Sequence, residues 1–591
     1  MWKIDHAGAG HPNEQWEAIA VTVRSMSKLP VVRGATASVV AILVVGLVAA
    51  SSAGALPGPA AARAAQSVRA GLPHIPAKLA CGDLVQAAGP TGKPGVPDFG
   101  TIPDAPTRIT AAKIVAATAA APEYCDVQGY VAGQVHFELK LPTTTWQGRY
   151  LQSGCGVNCG FITQTSFPAC DAQLGGDFAL AATDDGHQAN LLDALWGATD
   201  EQLRIDFGYR AVHVVAVAAK AIMRAYYGTV PRQSYFDGCS DGGREGLIEA
   251  QRYPRDFDGI IAGAPASYYP FLPAEHAAWV ARANTDAAGN QILTPDRIPA
   301  LRAAVVAACD GKDGLADGQI DDPRACSFDP ASIRCPAGVD RPDCLSAEQV
   351  AVVRKLYQAP QDPQGRLLYP GGLEPGSEGA WTGALTAPPG VQPFLPVVAD
   401  NWLRYLAFPV GKPGIPLSRW QFTRQLFDRL RQEADVFNAL DPDLRAFRDA
   451  GGKLIIYHGW ADQLIPPRGT LNYYQAVQDR MGGLPAVQRF ARLFMLPDMF
   501  HCAGGGPSLD PSDLVLQLVN WVEHGTPPDK LIAAQTGAGG DVIRTRPVFP
   551  YPLRVRYTGS GSVDDAANFV AAPPASPPDD HIDWLGDDLL R

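Results

Sequence analysis

SYFDGCSDGGREGLIEAQRY, residues 234–253, runs from a short apolar strand through a glycine-flanked serine into a helical stretch. Strand, tight turn and helix in that order are the setting of a nucleophile elbow, and Gly238-Cys239-Ser240-Asp241-Gly242 fits its G-x-S-x-G pattern. Small residues are needed two positions either side of Ser240, because the backbone folds back on itself and pushes the hydroxyl outward. In a chain with 60 glycines the pentapeptide alone is weak, and a plain Gly-rich turn is the competing reading. Its place between a strand and a helix carries the argument.

Upstream, YVAGQVHFELKL (130–141), RYLQSG (149–154) and DFALAATD (177–184) read as strands, and residues 206–227 keep apolar side chains at helical spacing. This alternation predicts a mostly parallel sheet with ligand loops at the carboxyl ends of its strands. The pattern stops after Pro265 and resumes at LIIYHG (454–459) and ARLFMLP (491–497). Residues 266–440, rich in proline, glycine turns and aromatic clusters, therefore read as an insertion into one α/β domain. The expected division is an N-terminal extension, signal and linker (1–66), the first part of the sheet domain (67–265), the insertion (266–440) and the second part of the sheet domain (441–591).

A serine hydroxyl needs a base within hydrogen-bond reach to act as a nucleophile at neutral pH. Of 11 histidines, His501 follows a strand in PDMFHCAGG and enters a Gly-rich loop. His458, at the end of LIIYHG, reads as a structural residue bonded to backbone, and His187 in TDDGH precedes the nucleophile. Asp462, just past the His458 strand, is placed to orient a histidine, whereas Asp498 sits three residues before His501 and reads as a turn former. The order Ser240, Asp462, His501 is that of the α/β-hydrolase fold. Two oxyanion donors are expected: the backbone N–H of Asp241, directly after the nucleophile, and that of Gly156 in GCGVN after the RYLQSG strand.

Cys239 adjoins Ser240 and Cys502 adjoins His501. If they bond, a disulfide holds the nucleophile against its base. The close spacings of Cys309/Cys326 and Cys335/Cys344 suggest two local clips, while Cys155, Cys159 and Cys170 are ambiguous and the count of 11 is odd. An uncharged stretch from Gly34 to Ala62, with Val39–Ala50 apolar and Lys28 and Arg33 before it, reads as a secretory signal, with Met26 as the best start. Ala53-Gly54-Ala55 or Ala62-Arg63-Ala64 supplies the cleavage site; an uncleaved anchor is the alternative. A secreted or periplasmic chain without a stable membrane partner after cleavage follows, and an oxidising compartment suits the cysteines. A net charge of −11, with no basic stripe, argues against nucleic acid as a partner.

The motifs GCSDGGREG (238–246), YHGWAD (457–462), HCAGG (501–505), TDDGH (183–187) and CDGKDGLADGQID (309–321) together resemble the tannase/feruloyl esterase family of α/β-hydrolases, which includes hydrolases of terephthalate monoesters. The resemblance runs from about Cys81 to Phe569. It implies an α/β-hydrolase fold with a large inserted lid domain, a triad of Ser240, Asp462 and His501, and disulfides Cys239–Cys502, Cys81–Cys125, Cys309–Cys326 and Cys335–Cys344. It also implies a structural calcium ion, Ca2+, in the lid, held by Asp310, Asp313 and Asp317 and the carbonyls of Leu315 and Gln319, with no organic cofactor. On the residues alone, oxygen-rich turns of this kind suit calcium without matching the EF-hand spacing, and Asp-Gly pairs also make ordinary turns.

Arg404 and Phe408, four apart in NWLRYLAF, would face the same way on a helix, and the pair resembles the position where the terephthalate-monoester hydrolases hold the aromatic acid; a lid salt bridge is the other reading of Arg404. Cys155 and Cys159 stand where related loops often carry Ser or Gly. The expected partner is a small aromatic ester, hydrolysed by a serine carboxylesterase: a gallate or ferulate ester first, a terephthalate monoester as the alternative. A non-catalytic calcium-dependent binding protein on the same scaffold is the alternative of another class, against which Ser240, Asp462, His501 and Gly156 together argue.

Overall fold

The computed structural model describes residues 72–85, 97–118, 121–162, 176–574 and 578–590. The signal reading, Cys170 and most of the linker lie outside them. Among the described residues no helix is long and apolar enough to cross a membrane.

Nine strands form the central sheet: β1 (Thr107–Val115), β2 (Tyr124–Val131), β3 (Val135–Pro142), β4 (Arg149–Ser153), β5 (Phe178–Thr183), β6 (Gln233–Cys239), β7 (Gly259–Gly263), β8 (Lys453–Gly459) and β9 (Ala491–Leu496), in the order β1-β2-β3-β5-β4-β6-β7-β8-β9. β1, β2, β3 and β5 pair antiparallel, and β5-β4-β6-β7-β8-β9 run parallel. Parallel strands are covered on both faces, so β5 (FALAAT) and β7 (GIIAG) are buried at every position rather than alternating. That is why β7, a five-residue apolar run, gives no alternation for a sequence reading to find.

The single strand expected over 130–141 is instead a hairpin. β2 ends at Val131, three residues turn, and β3 starts at Val135, paired directly with Val131. The alternation continues across the turn because paired residues share a face of the sheet, so periodicity alone could not mark the break.

Helices cover the sheet. A π-helical turn at Asp206–Arg210 leads into α1 (Ala211–Tyr227), whose Ala- and Val-rich face is buried, and α2 (Asp241–Arg252) follows the elbow directly. Between β7 and β8 the chain adds no strand to the sheet. It forms α3 (Ile298–Cys309), α4 (Ala347–Tyr357), capped by a Ser346/Gln349 capping box, α5 (Phe394–Tyr405) and short turns. α6 (Pro467–Met481) and α7 (Pro511–His524) complete the cover, and two short ribbons follow.

Among the described residues five disulfides are present: Cys81–Cys125, Cys155–Cys159, Cys239–Cys502, Cys309–Cys326 and Cys335–Cys344. Four are the pairs implied by the resemblance. The fifth closes the loop after β4.

Candidate active site

The parallel arrangement gathers five loops at one edge of the sheet. These follow β4 (Gly156), β5 (the TDDGH loop), β6 (Ser240), β8 (Asp462) and β9 (His501). This is the carboxyl edge, where open α/β sheets place their ligands.

Ser240 is half-buried and has φ 69°, ψ −119°, outside the ordinary regions for a residue with a side chain. The strain is fixed from three sides: its N–H donates to Gly263 O (2.9 Å), and its carbonyl accepts from Arg244 N (3.1 Å) and Ala266 N (3.0 Å). A Cβ on Gly238 would lie 2.5 Å from the Gly242 carbonyl group, so the turn can close only on glycine. Among the described residues eight non-glycine positions have positive φ, and seven of them (Val157, Cys159, Asp185, Ser240, Ala264, Asp498 and Cys502) lie in loops at this edge.

His501 Nδ1 lies 2.7 Å from Asp462 Oδ2, and its backbone N–H donates to Gln463 Oε1 at 3.1 Å. Asp462 is fully buried. Its Oδ1 accepts the backbone N–H groups of Leu464 and Ile465, both at 2.8 Å. Burial works against its charge, but His501 and His458 beside it outweigh that and hold the carboxyl well below the usual carboxylate range. Asp462 therefore stays ionised, and the Nδ1 proton of His501 is fixed on it. Nε2 is left as the basic nitrogen.

His458 is buried and bonded to backbone as expected, and it meets two side chains as well. Its Nε2 is shared between Asp462 Oδ2 (3.2 Å) and Ile465 O (3.1 Å), and its Nδ1 faces the Thr470 hydroxyl at 2.8 Å. Both partners of Nε2 are acceptors, which assigns that nitrogen the proton. Asp498 points elsewhere, into Arg302 on α3 at 2.6 and 2.8 Å. His187 is buried with Nε2 2.7 Å from Asn158 O and its ring stacked 3.8 Å from Trp196; burial lowers its pKa to about 4.

Cys239–Cys502 links the residues next to Ser240 and His501, with Cα atoms 6.0 Å apart and a separation of 263 positions in sequence. The N–H of Asp241, in the first turn of α2, has no intrahelical carbonyl to meet and lies at the positive end of the helix. The β4 loop docks on the elbow through Gly242 N to Cys155 O (2.9 Å), and the Cβ direction of Gly156 is open. The Asp241 carboxylate turns inward, where Arg244 grips it at 2.6 and 3.1 Å.

The expected pair of Arg404 and Phe408 is divided by a helix end. α5 ends at Tyr405, so the pair does not share a helix face. Arg404 is exposed and paired with Asp400 at 2.6 Å, the salt-bridge alternative; Phe408 is buried under the Arg429 guanidinium.

In the acidic loop after α3, Asp310 accepts the backbone N–H groups of Asp317 and Gly318 (3.0 Å each), Asp313 that of Leu315 (2.9 Å) and Asp317 that of Gln319 (3.1 Å). The Asp317 carboxylate also pairs with Arg546, which bonds Gln319 Oε1 at 2.9 Å. Asp321, which the sequence reading passed over, meets Asp313; burial and the neighbouring charges of Asp313 and Asp317 push its carboxyl well up. Hard oxygen donors crowded in this way fit the chemistry of calcium. Among the described residues, however, three or more ligand-type atoms converge within 4.8 Å at Cys155, Cys159, Asp185, Asp241 and Glu245 instead, a grouping of a kind that can hold a metal. There the two sulfurs are bonded to each other and Arg244 occupies Asp241, so the protein itself accounts for the cluster.

Residues 117–572 match the family described as tannase and feruloyl esterase. The chain is 33% identical over 554 residues to the mono(2-hydroxyethyl) terephthalate hydrolase of Piscinibacter sakaiensis, covering 81% of this chain and 89% of that protein. The crystal structure of feruloyl esterase B from Aspergillus oryzae superposes with a TM-score of 0.69 at 28% identity, covering 79% of this chain and 97% of the other. The tannin acyl hydrolase of Aspergillus niger shares the fold, with a TM-score of 0.65 at 23% identity over 86% of this chain and 95% of its own. With the α/β-hydrolase sheet and these relatives, the chain belongs to the tannase and feruloyl esterase family and is a carboxylic ester hydrolase.

Proposed function

We propose that the protein hydrolyses esters of aromatic acids through an acyl-enzyme on Ser240. The observation that carries this reading is the 2.7 Å contact of His501 Nδ1 with the buried Asp462, in a histidine loop tied by Cys239–Cys502 to the nucleophile elbow. Ser240 Oγ attacks the carbonyl carbon while His501 Nε2 takes its proton, and the oxyanion is received by the N–H groups of Asp241 and Gly156. The C–O bond to the alcohol then breaks as His501 returns the proton to the leaving oxygen. Water, activated by the same nitrogen, releases the acid and restores Ser240.

Two readings of the acid are favoured by different relatives: a hydroxycinnamate or gallate by the feruloyl esterase and tannase matches, a terephthalate monoester by the hydrolase at 33% identity. Comparing kcat/KM across gallate, hydroxycinnamate and terephthalate monoesters separates them. Labelling of Ser240 by a fluorophosphonate, abolished in Ser240→Ala together with turnover, tests the mechanism; turnover that survives Ser240→Ala sinks it.

The segment between β7 and β8 is read as the lid that selects the substrate. Asp310, Asp313 and Asp317 with the carbonyls of Leu315 and Gln319 would hold a calcium ion there, which would neutralise the crowded carboxylates and stiffen the loop closed by Cys309–Cys326. A chelator should then lower Tm, with recovery on adding Ca2+ but not Mg2+. An unchanged Tm would remove the ion from the account. The five disulfides among the described residues and the uncharged stretch 34–62, with its apolar run Val39–Ala50, support export to an oxidising compartment.

A further inference from the structure

We propose that Arg302, on the inserted segment, is a positioning residue for acyl transfer: through its ion pair with Asp498 it holds in place the hairpin that carries His501. The inference rests on the serine-esterase reading above.

Beyond β9 the chain from Pro497 to Gly506 folds back on itself. Gly506 N donates to Asp498 O at 2.8 Å and Phe500 N to Gly504 O at 3.0 Å, and Met499 forms an antiparallel bridge with Gly505. His501 and Cys502 lie at the tip of this hairpin, and Asp498 lies at its base.

One side of the hairpin meets the loops of the sheet. Ala461 N donates to Met499 O at 3.0 Å, Gln463 Oε1 accepts the His501 N–H, Asp462 holds the imidazole, and Cys502 is bonded to Cys239. The inserted segment meets it as well. Arg302, one turn into α3, directs Nη2 to both Asp498 oxygens at 2.6 and 2.8 Å and Nη1 to Gly376 O at 2.8 Å. The turn that supplies Gly376 also packs on Phe500, the residue before His501: a Cβ on Gly379 would sit 2.8 Å from the end of that ring. Glu378 braces the turn, accepting the Gly376 N–H at 3.0 Å and the Tyr357 O–H, from the end of α4, at 2.5 Å. One guanidinium therefore joins α3 and this turn to the base of the histidine hairpin.

Asp498 is 7% exposed, so its charge would be left buried and unpaired without Arg302. Its φ of 54° is a conformation that the surroundings must hold. It stands three residues before His501, and its carbonyl closes the hairpin, so a shift at the base is carried to Nε2. Misplacing a catalytic group by about 1 Å can cost on the order of 10²-fold in rate. The insertion thus acts on proton transfer by placing the base, whatever it does in choosing the substrate.

The test compares wild type with Arg302→Gln, Arg302→Lys, Asp498→Asn and the double variant Arg302→Gln/Asp498→Asn. The readouts are kcat and KM on an aryl ester, the rate of Ser240 phosphonylation by a small fluorophosphonate, and Tm. All are taken at about pH 8, above the titration of Asp498 at about 6. Arg302→Gln is expected to lower kcat and phosphonylation together by about 10- to 100-fold, with KM within about threefold. Arg302→Lys keeps a charge that can meet Asp498 and is expected to be faster than Arg302→Gln. Asp498→Asn, nearly isosteric and tolerant of the positive φ, is expected to slow both rates too. Because both substitutions break one tie, the double variant is expected to be no slower than Arg302→Gln alone. Wild-type kcat and phosphonylation in Asp498→Asn, with only Tm lowered, overturn the proposal. So do a loss confined to KM and single effects that multiply in the double variant. If Arg302→Gln does not fold, Asp498→Asn decides by the same readouts. A wild-type enzyme that turns over ester without labelling at Ser240 overturns the serine-esterase reading instead, which the wild-type labelling shows by itself.

Discussion

Asp462 receives four donors: His501, His458 and the N–H groups of Leu464 and Ile465. This inventory sets what a substitution does. In Asp462→Asn the amide can present either oxygen or nitrogen to the two histidines, and neither choice keeps His501 with its proton on Nδ1 as firmly as a carboxylate does. The expected loss is about 10³- to 10⁴-fold in kcat with KM within a few-fold, read by steady-state kinetics on an aryl ester. A loss confined to KM would reassign Asp462 to binding. The placement of Ser240, Asp462 and His501 at one edge of the sheet was legible in sequence because each follows a strand into a Gly- or Asp-rich turn. The bond of His458 to Asp462 was not, since it depends on residues 459–465 folding back across the end of β8, and no spacing rule encodes that closure. The shared helix face expected of Arg404 and Phe408 was misread for a related reason: four residues apart means one face only while the helix lasts, and α5 stops at Tyr405.

At the scale of elements, the Cys239–Cys502 link spans β6 and β9, which are separated in the sheet by β7 and β8. Hydrogen bonds along those two strands fix their relative height, but the turns beyond the strand ends carry positive φ at both Ser240 and Cys502 and have no ladder to restrain them. The disulfide supplies that restraint. Cys239→Ser with Cys502→Ser should lower kcat at least about tenfold and stability by roughly 2–5 kcal/mol, while far-UV circular dichroism stays unchanged. Unchanged kcat with the stability loss alone would make the link a staple rather than a clamp. Apolar content and order made β4, β5, β6, β8 and β9 readable. β7 was too short and too uniformly buried to alternate, and the β2–β3 turn was hidden because its flanking residues stay in register.

Across the whole molecule, acidic groups are buried more often than their charge tolerates, and this sets how stability varies with pH. Burial pushes Asp237 up to about 7, and Asp184 and Asp498 to about 6 despite His136 and Arg302; Glu249 and Glu275 go up as well. In the unfolded chain these carboxyls ionise near pH 4. Between there and their folded values the unfolded state has shed protons that the folded state retains, so stability is lost as pH rises through that interval. Two buried histidines act oppositely: burial lowers His187 to about 4 and His276 to about 3, so their contribution is lost as pH falls below about 6.5. The raised carboxyls outnumber them. Asp462, whose carboxyl is depressed, contributes above about pH 4 and loses that contribution only as pH drops towards its low folded value. The net expectation is a Tm that climbs by a few degrees from about pH 8 to about pH 5 and falls steeply in stronger acid. Asp237→Asn, which removes one raised carboxyl without changing its shape, should flatten the slope between those two values in a thermal-shift series. A Tm that instead rises steadily from pH 5 to 8 would mean that these carboxyls are solvated or paired in the folded protein, and that the histidines govern its acid response.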